Sequence, residues 1–341
     1  MATMKDVARE AKVSLGTVSN VLNKRPTVTE ANCIKVMNAV RKLKYRPNTA
    51  ARTLKTNTSK SIGLVIPDIK NPFYPELARG VEDTAKKSGY SVLLCNNDRS
   101  VDKEREYINI LIEKNIDGII LIKPKVSLDE IAEIQKECSI VLVDVDYDIT
   151  SRFDSINVDD YNGMLDAMNL LYEYGHRNIA FISGMLESKS SKIRHDTYIE
   201  FLRKKNIPVN EELIKMGSYD WYSGYKCTVE LLRNITPPTA ILAANDLMAI
   251  GTMKAIHERR LRIPFDISVM GYDDIDMAVL CTPQLTTVRQ PKYELGITSV
   301  EILLERMKSG IPVDEPVEGA GRIVTMKTEI MLRETLGYVK T

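Results

Sequence analysis

The side chains best suited to bind a small molecule follow the short apolar segments of the chain. They include aromatic, carboxylate, amide, hydroxyl and guanidinium groups. The candidates are Asn71, Phe73, Tyr74, Asp144, Ser190, Arg194, Tyr219, Trp221, Asn245, Asp246, Asp273 and Gln290. Aromatic faces beside planar polar groups suit a sugar, which has apolar faces and hydroxyl-bearing edges. The pattern therefore predicts a site for a carbohydrate or a carbohydrate derivative.

Several of these candidates also have a purely structural interpretation. Phe73 either packs its own loop or offers a stacking surface at the mouth of a cleft, and we favour the stacking surface. Trp221 either belongs to the core or binds the ligand, and Tyr219 fits the aromatic role equally well. Asp246 could cap the helix of "LMAIG", and Asp273 could hold two domains together.

Strand and helix segments alternate through the region that carries these candidates. The apolar runs "SIGLVIP", "YSVLLCN", "DGIILIKP" and "IVLVDV" form one series, and "NIAFISG", "TAILAAND" and "SVMGYDD" form a second. Such alternation indicates two doubly wound parallel-sheet subdomains. We place them at about 61–160 with 292–322, and about 161–291 with 323–341. Ligands bind beyond the carboxyl ends of such strands, so the candidates should meet between the subdomains.

Catalytic chemistry has little support in the sequence. The histidines His176, His195 and His257 are far apart and lack metal-ligand spacing. The sequences G-x-S-x-G, P-loop and G-x-G-x-x-G do not occur. The basic stretch "KPKV" at 123–126 could serve an anionic ligand, but we interpret it as a solvated loop. We therefore predict no enzyme activity, no cofactor and no metal.

Charge is distributed unevenly along the 341 residues. Residues 1–60 contain 13 lysines and arginines against three acids, a net charge of +10, and the remainder carries −9. A basic segment on an acidic body is typical of a chain that contacts a polyanion with one end. Five scattered cysteines without C-x-x-C spacing, a charged N-terminus and short apolar runs predict a cytoplasmic protein with no membrane partner.

Residues 1–46 have the pattern of three short helices with a tight turn between the first two. Thr3 with Asp6, Ser14 and Thr29 are placed to cap the helices, and Pro47 would stop the third. The expected inward faces are Val7, Ala8 and Ala11, then Val18, Val21 and Leu22, then Ala31, Ile34, Met37 and Val40. This pattern predicts a helix-turn-helix domain.

The second of these helices begins with small, polar residues that a core would not need. They could let the helix backbone approach base edges in the major groove, while basic residues contact phosphates or a guanine edge. The candidate DNA-binding residues are Ser14, Leu15, Gly16, Thr17, Ser19, Asn20, Asn23, Lys24, Arg25, Tyr45, Arg46, Asn48, Arg52, Leu54 and Lys55. The alternative is an ordinary solvated helix face.

Residues 47–60 are basic and polar and contain no core of their own. They form either a flexible linker or a helix of one to two turns that needs outside support. Leu54 between Arg52 and Lys55 suits a minor-groove wedge held by phosphate contacts. Alternatively, Leu54 only caps the third helix of the preceding domain.

Three segments, "MKDVAREAKVSLGTVSNVLN", "YRPNTAARTLK" and "SIGLVIPDIKNPFYPELARGVE", occur in an order that resembles the lactose-repressor/galactose-repressor (LacI/GalR) family of bacterial transcription regulators. The resemblance extends along essentially the whole chain. It implies a helix-turn-helix head, a hinge helix ordered on operator DNA and a periplasmic-binding-protein-like body. Arg194 corresponds to the family's ligand arginine, although Thr197 stands at the usual glycine, and Asn245 with Asp246 corresponds to its Asn-Asp pair.

These features predict a homodimeric repressor that binds an approximately palindromic operator and responds to a small molecule, with a carbohydrate as the expected effector. One alternative is a global carbon-catabolite-type regulator whose corepressor is a phosphorylated carrier protein. Two others are a transport binding protein without DNA function and a Rossmann-type enzyme, which the basic head and the missing phosphate loop oppose. We also expect Arg194→Ala and Asp246→Ala to abolish the effector response while operator binding is retained.

Overall fold

The computed structural model describes residues 2–23, 27–45, 58–145, 152–309 and 321–339. It divides into two units, Met1–Ser59 and Lys60–Thr341, which we call the head and the body. Within the described residues there are twelve α-helices and twelve β-strands. The hinge helix predicted within 47–60 lies almost entirely outside the described residues.

The head contains the three predicted helices, α1 (Met4–Ala11), α2 (Leu15–Leu22) and α3 (Glu30–Lys42). Thr3 and Asp6 form a capping box at the start of α1, and the Ser14 hydroxyl accepts from the Thr17 amide at 3.0 Å at the start of α2. Lys12 has a left-handed backbone, with φ 52°, in the turn between these helices. The helix-turn-helix prediction is confirmed.

The predicted inward face of α3 is wrong for Ala31, Ile34 and Met37, which are exposed, whereas Val40 packs against the head core as predicted. Ile34 is 56% exposed and Met37 is also exposed, whereas Val36 and Ala39 are buried. Helix α3 carries two apolar stripes, and helical periodicity alone does not choose between them. The choice depends on packing against α1 and α2, which the periodicity of α3 does not contain.

The first body subdomain is a parallel sheet of six strands in the order β11-β5-β4-β3-β1-β2. Its strands are β1 (Ser61–Ile66), β2 (Ser91–Asn96), β3 (Gly118–Ile122), β4 (Ser139–Val143), β5 (Ser155–Val158) and β11 (Ile323–Met326), and its helices are α4 (Phe73–Lys87), α5 (Val101–Glu113), α6 (Leu128–Glu137) and α12 (Lys292–Ser309). Leu64 and Ile66 pack with α4 and α12, while Val65 packs with α5 and α6. Helices therefore cover both faces of the sheet, as predicted.

The second body subdomain has the strand order β12-β10-β9-β8-β6-β7. Its strands are β6 (Ile179–Ser183), β7 (Ile214–Met216), β8 (Ala240–Ala243), β9 (Ser268–Asp273), β10 (Thr286–Arg289) and β12 (Glu329–Met331), and its helices are α7 (Asp160–Glu173), α8 (Lys189–Lys204), α9 (Trp221–Leu231), α10 (Asp246–Glu258) and α11 (Met277–Leu280). All neighbours in this sheet are parallel except β12, which runs antiparallel to β10.

In the described part of the body, the chain passes between the subdomains three times: from β5 to α7, from β10 to α12, and from β11 to β12. Strand β11 pairs with β5, with Ile323 opposite Ser155. The predicted assignment of residues 323–326 to the second subdomain is therefore wrong. A four-residue strand beside a crossover carries no signal in its own sequence that tells which sheet it joins.

Candidate functional site

A cavity of about 360 Å³ lies between the two body subdomains, where the central strands of both sheets end. Its volume is in the range of small-molecule sites. Nine of the residues predicted from the sequence line it: Asn71, Phe73, Tyr74, Asp144, Ser190, Arg194, Tyr219, Asp273 and Gln290. These residues converge because parallel strands place their carboxyl ends at one edge of each sheet.

The aromatic side chains in the cavity are held by their own neighbours. Phe73 and Tyr74 are buried and meet edge to face, with ring centroids 5.2 Å apart. Phe73 packs in the core of its subdomain and also lines the cavity, so its role as a stacking surface stays a prediction. The Asn71 side chain accepts from the Phe73 amide at 3.1 Å. In the second subdomain, Gly184 leaves room for the Tyr219 ring, because a Cβ there would lie 2.2 Å from it.

Lys123 forms an ion pair with Asp144 on the wall of the first subdomain. Its Nζ lies 2.8 Å from Asp144 Oδ2. The same ammonium reaches across the cleft and donates to Ser190 Oγ at 2.6 Å and Ser188 Oγ at 3.2 Å. The interpretation of residues 123–126 as a solvated loop is therefore wrong for Lys123, whose charge is used inside the cavity.

Arg194 lines the cavity from the second subdomain and is already engaged with protein groups. Its guanidinium donates to Asp160 Oδ1 through Nε at 2.9 Å and through Nη2 at 2.8 Å, and to the Ala244 carbonyl at 2.7 Å. It also lies 3.6 Å from the centroid of the Tyr272 ring. Burial opposes the charge of Arg194, but the Asp160 carboxylate more than compensates, and the pKa of Arg194 is raised.

Asp273 and Gln290 complete the polar part of the second wall. Gln290 Nε2 donates to Asp273 Oδ1 at 2.6 Å, and the Asp273 carbonyl accepts from Lys292 Nζ at 2.7 Å. Burial raises the pKa of Asp273 to about 6, although the nearby Arg194 and Lys292 charges and the Gln290 hydrogen bond oppose the shift. The cavity thus contains a carboxylate that titrates close to neutral pH.

Three predicted ligand residues lie outside the cavity lining. Trp221 is 48% exposed at the start of α9, with its edge against Tyr222. Asn245 caps α10 and donates to the Tyr219 carbonyl at 3.1 Å, so it positions Tyr219 instead of lining the wall. The fully buried Asp246 accepts from the Thr287 hydroxyl and from a backbone amide. The prediction that these three residues line the ligand site is not borne out.

Several lining residues were missed by the sequence reasoning, among them Asn97, Arg99, Lys125, Met185, Glu187 and Ser188. Asn97 and Arg99 follow β2, which was recognised as a strand, so the rule that ligands lie beyond strand ends applied to them as well. Arg99 Nη1 donates to the Ser218 carbonyl at 3.2 Å and lies over the Tyr219 ring. Arg99 is therefore a second basic residue that connects the two subdomains across the cleft.

In the head, α2 presents a polar face formed by its first residues. Leu15 is 45% exposed and Gly16 is exposed, whereas Val18 and Val21 are buried. A Cβ at Gly16 would meet only Ser14 Oγ, at 3.7 Å, so head packing does not require glycine there. Ser19, Asn20 and Thr17 are half-buried, and Asn23 Nδ2 donates to the Ser19 carbonyl at 2.8 Å.

The other predicted DNA-binding residues divide into two groups. Tyr45 is half-buried and packs against the head core, so only part of its side chain is available to contact DNA. The remaining predictions lie outside the described residues: Lys24, Arg25, Arg46, Asn48, Arg52, Leu54 and Lys55.

His176 has a structural role at the corner between α7 and β6. Its buried ring contacts the Thr239 hydroxyl and the Gly337 carbonyl, each at 3.0 Å. Over the described ranges, no cluster of three or more His, Cys, Asp or Glu side chains is arranged to hold a metal ion. The described helices include none that combines the length and the apolar character needed to span a bilayer.

Comparisons with known proteins match both units. Residues 3–48 match the model for bacterial regulatory proteins of the lacI family, and residues 168–336 match a periplasmic binding protein-like domain. The chain is 36% identical over 308 residues to catabolite control protein A of Priestia megaterium, covering 89% of this chain and 92% of that protein. It is 36% identical over 337 residues to the HTH-type transcriptional repressor PurR of Aliivibrio salmonicida, covering 98% and 99%.

The fold is also that of a solved regulator. The structure of the lac repressor dimer bound to operator and the anti-inducer ONPF is 29% identical in sequence, covers 98% of both chains and gives a TM-score of 0.84. Because the sequence similarity to the curated relatives extends over nearly the whole length, the chain belongs to the lacI family of bacterial regulatory proteins.

Proposed function

We propose that this protein is a homodimeric transcriptional repressor whose affinity for operator DNA is controlled by a small polyhydroxy molecule, such as a sugar, in the body cavity. The observation that carries the proposal is an aromatic and polar cavity between two subdomains, in a chain that also contains a helix-turn-helix head. A homodimer has two-fold symmetry, so the operator should be approximately palindromic.

Control of DNA binding through the cavity follows from the bonds that cross it. Lys123 donates to Ser190, and Arg99 donates to the Ser218 carbonyl, so both basic residues join the first subdomain to the second. A ligand that replaces or bridges these bonds changes the relative position of the subdomains. It shifts operator affinity to the extent that it binds one arrangement better than the other.

The geometry of the cavity favours binding over catalysis. Ser190 lies within hydrogen-bond distance of Lys123, a pair that could act as nucleophile and base if the lysine were neutral. Lys123 is instead the ion-pair partner of Asp144, 2.8 Å away, and an ammonium group has no lone pair with which to accept the serine proton. We therefore propose that the protein is not an enzyme. We also propose a cytoplasmic location, where bacterial operator DNA is found.

The test uses the full chain. Selection from random double-stranded DNA should recover a motif with approximate two-fold symmetry. A thermal-shift panel of D-glucose, D-galactose, D-ribose and D-xylose should then show a ligand, since a ligand at one hundred times its Kd adds about 2.7 kcal/mol of stability. The sugar that binds should change operator affinity. Failure to select any motif would contradict the repressor function, and a motif whose binding ignores every sugar would contradict the sugar as effector.

Operator binding should depend steeply on salt. Residues 1–60 carry a net charge of +10, and a dimer presents two copies, so many phosphates would release counterions on binding. If 6–10 phosphates are contacted, affinity should fall by about 10³–10⁵-fold between roughly 50 and 200 mM salt. Fluorescence anisotropy with the selected operator measures the slope. A flat dependence would mean that the head makes few phosphate contacts.

Sugar binding should weaken below about pH 6 because of Asp273, whose pKa is raised to about 6 by burial. Ionised Asp273 accepts two hydroxyl hydrogen bonds more readily than the neutral acid, so affinity should fall up to tenfold per pH unit below the pKa and level off above it. Calorimetry from pH 5 to 8 measures this, and Asp273→Asn should remove the dependence.

The free energy of unfolding without ligand should change with pH in the opposite direction: the contribution of Asp273 should increase as the pH falls. Because the folded pKa lies above the ordinary value of 3.8, the folded body binds the proton more tightly than the unfolded chain. This contribution is fully present below pH 3.8 and is lost as the pH rises through 6. Comparing urea unfolding of the wild type and Asp273→Asn isolates it, and equal pH profiles for both proteins would exclude a shifted Asp273.

A further inference from the structure

Glu104 is a buried carboxylate in α5 that does not line the cavity, with only 1% of its surface exposed. Its Oε2 accepts from Asn97 Nδ2 at 2.6 Å. Its Oε1 accepts from the backbone amides of Lys125 and Val126, at 2.8 and 3.0 Å. All three donors belong to the loops that follow β2 and β3, the strands on either side of β1, so a single carboxylate ties these two loops to one helix.

These two loops carry the basic part of the first cavity wall. They supply four of its lining residues: Asn97, Arg99, Lys123 and Lys125. The hydrogen bond that Asn97 donates to Glu104 fixes the Asn97 side chain. Asn97 Oδ1 in turn accepts from the Arg99 amide at 2.8 Å and so fixes the Arg99 backbone. The position of the Arg99 side chain over the second subdomain therefore depends on Glu104 through one intermediate residue.

The backbone of the loops shows why such a support is needed. Asp98, Arg99 and Lys123 have left-handed conformations, with φ of 51°, 60° and 50°. Side chains other than glycine adopt this conformation at an energetic cost, and it persists only where the surroundings determine it. Glu104 binds Asn97, next to Asp98, in one loop and the Lys125 amide, two residues after Lys123, in the other.

The buried carboxylate of Glu104 is not needed to stabilise the start of α5. The Ser100 side chain already caps α5 by accepting from the Lys103 amide, and Asp102 supplies an acid in the first turn. Burial raises the pKa of Glu104, and the three donated hydrogen bonds oppose the rise. Each of those bonds is directed away from the helix and into the two loops.

We propose that Glu104 is the positioning residue of the effector cavity: it sets the affinity for ligand by holding the Asn97–Arg99 and Lys123–Val126 loops in place, without touching the ligand. The role of Glu104 in affinity rests on the proposed function, whereas its role in holding the loops does not. The two parts can therefore be tested separately on the full chain.

The test compares Glu104→Gln with a matched control, Asp154→Asn. Glutamine keeps an oxygen for the two amides but places an NH₂ group against the NH₂ group of Asn97. Asp154 is also a buried carboxylate of the first subdomain, which accepts from the Arg322 amide at 2.8 Å and from Arg306 at 2.7 Å. It directly precedes β5 and so lies at the amino ends of the parallel strands, whereas the cavity lies at their carboxyl ends. Each variant replaces one buried carboxylate by an amide, but only Glu104 contacts the two loops.

Hydrogen exchange followed by mass spectrometry provides the first measurement and needs no ligand. Peptides that cover residues 97–100 should exchange about tenfold faster in Glu104→Gln than in the wild type, which is the effect expected for the lost hydrogen bond to Asn97. Peptides that cover residues 123–127, whose amides keep an oxygen acceptor, should be accelerated less. The same peptides should be unchanged in Asp154→Asn. Unchanged exchange in Glu104→Gln, or equal acceleration in both variants, would overturn the positioning role.

Calorimetry with D-glucose, D-galactose, D-ribose and D-xylose provides the second measurement. For each sugar that binds the wild type, Kd should rise about tenfold in Glu104→Gln and stay constant in Asp154→Asn. A wild-type Kd in Glu104→Gln would overturn the effect on affinity even if the loops exchange faster. If no sugar binds the wild type, the sugar as effector is contradicted, and hydrogen exchange alone decides whether Glu104 holds the loops.

Discussion

We expect the Arg194→Ala variant to lose about 3–5 kcal/mol of free energy of unfolding, because the substitution leaves the buried Asp160 carboxylate without its cation. The Arg194 guanidinium makes two contacts with Asp160 Oδ1 and one with the Ala244 carbonyl. The substitution therefore removes the contacts that join α8 to α7 and to the end of β8. Urea denaturation of the full chain, followed by circular dichroism of the body transition, measures the loss.

A double variant separates the loss of stability due to the unpaired Asp160 charge from the loss due to missing packing. In Arg194→Met/Asp160→Asn both charges are gone, the methionine fills part of the space, and the asparagine oxygen can still accept from the Tyr272 hydroxyl. Most of the lost stability should return, since a buried ion pair and a packed neutral pair of similar volume are close in free energy. A double variant as unstable as Arg194→Ala would show that the guanidinium acts through packing and not through the charge of Asp160.

The buried contacts of Arg194 and Asp246 mean that an alanine substitution at either position affects stability as well as the effector response. We expected Arg194→Ala and Asp246→Ala to remove the effector response alone. Asp246 is fully buried and accepts from Thr287 Oγ1 at 2.5 Å and from the Ile275 amide at 2.8 Å, so its removal leaves two buried donors unpaired. Both substitutions should therefore destabilise the body. Asp273→Asn is the sharper probe of ligand binding because it keeps the shape of the side chain and one oxygen that can still accept from Gln290, and removes the charge and the second acceptor oxygen.

The site was predictable where strand ends alone decide the position. The ends of β1, β4, β6 and β9 were recognised from apolar runs, and polar residues beyond them, such as Asp144, line the cavity. The rule that residues just beyond a strand end line the site fails where a helix begins within one or two residues of the strand. After β8, Asn245 caps α10 and donates to the Tyr219 carbonyl, and Asp246 turns into the core to accept from Thr287 and Ile275. These partners are distant in the sequence, so the local pattern does not contain them.

Long-range partners also explain what the local patterns missed. The stretch around Lys123 has the composition of a solvated loop, and only the proximity of Asp144 and Ser190 turns its charge into the cavity. The two apolar stripes of α3 are equivalent by periodicity, and contact with the other head helices selects Val36 over Ile34. In each case the deciding partner lies on another element, which the local pattern does not contain.

The head offers a substitution that should separate folding from DNA recognition, Gly16→Ala. A Cβ at position 16 has free space in the head, where its nearest atom is Ser14 Oγ at 3.7 Å. Alanine also favours a helix over glycine by up to about 1 kcal/mol, so thermal stability of the head should stay constant or rise. Operator affinity should nevertheless fall about 10–100-fold, because the added methyl group would occupy the space in which we propose that the helix backbone approaches a base edge.

Substitution of both Leu15 and Gly16 should go further and change which operator is preferred. Leu15 is 45% exposed beside the exposed Gly16 at the start of α2, so neither residue is needed in the head core. Base contacts specify sequence, whereas phosphate contacts mainly position the protein. Selection from random DNA with Leu15→Gln/Gly16→Ala should therefore yield a new motif with the original two-fold spacing. Asn38→Ala, exposed on α3 and outside the predicted DNA-binding set, is the control and should yield the original motif. Recovery of the original motif by the double variant would mean that the start of α2 does not read the bases.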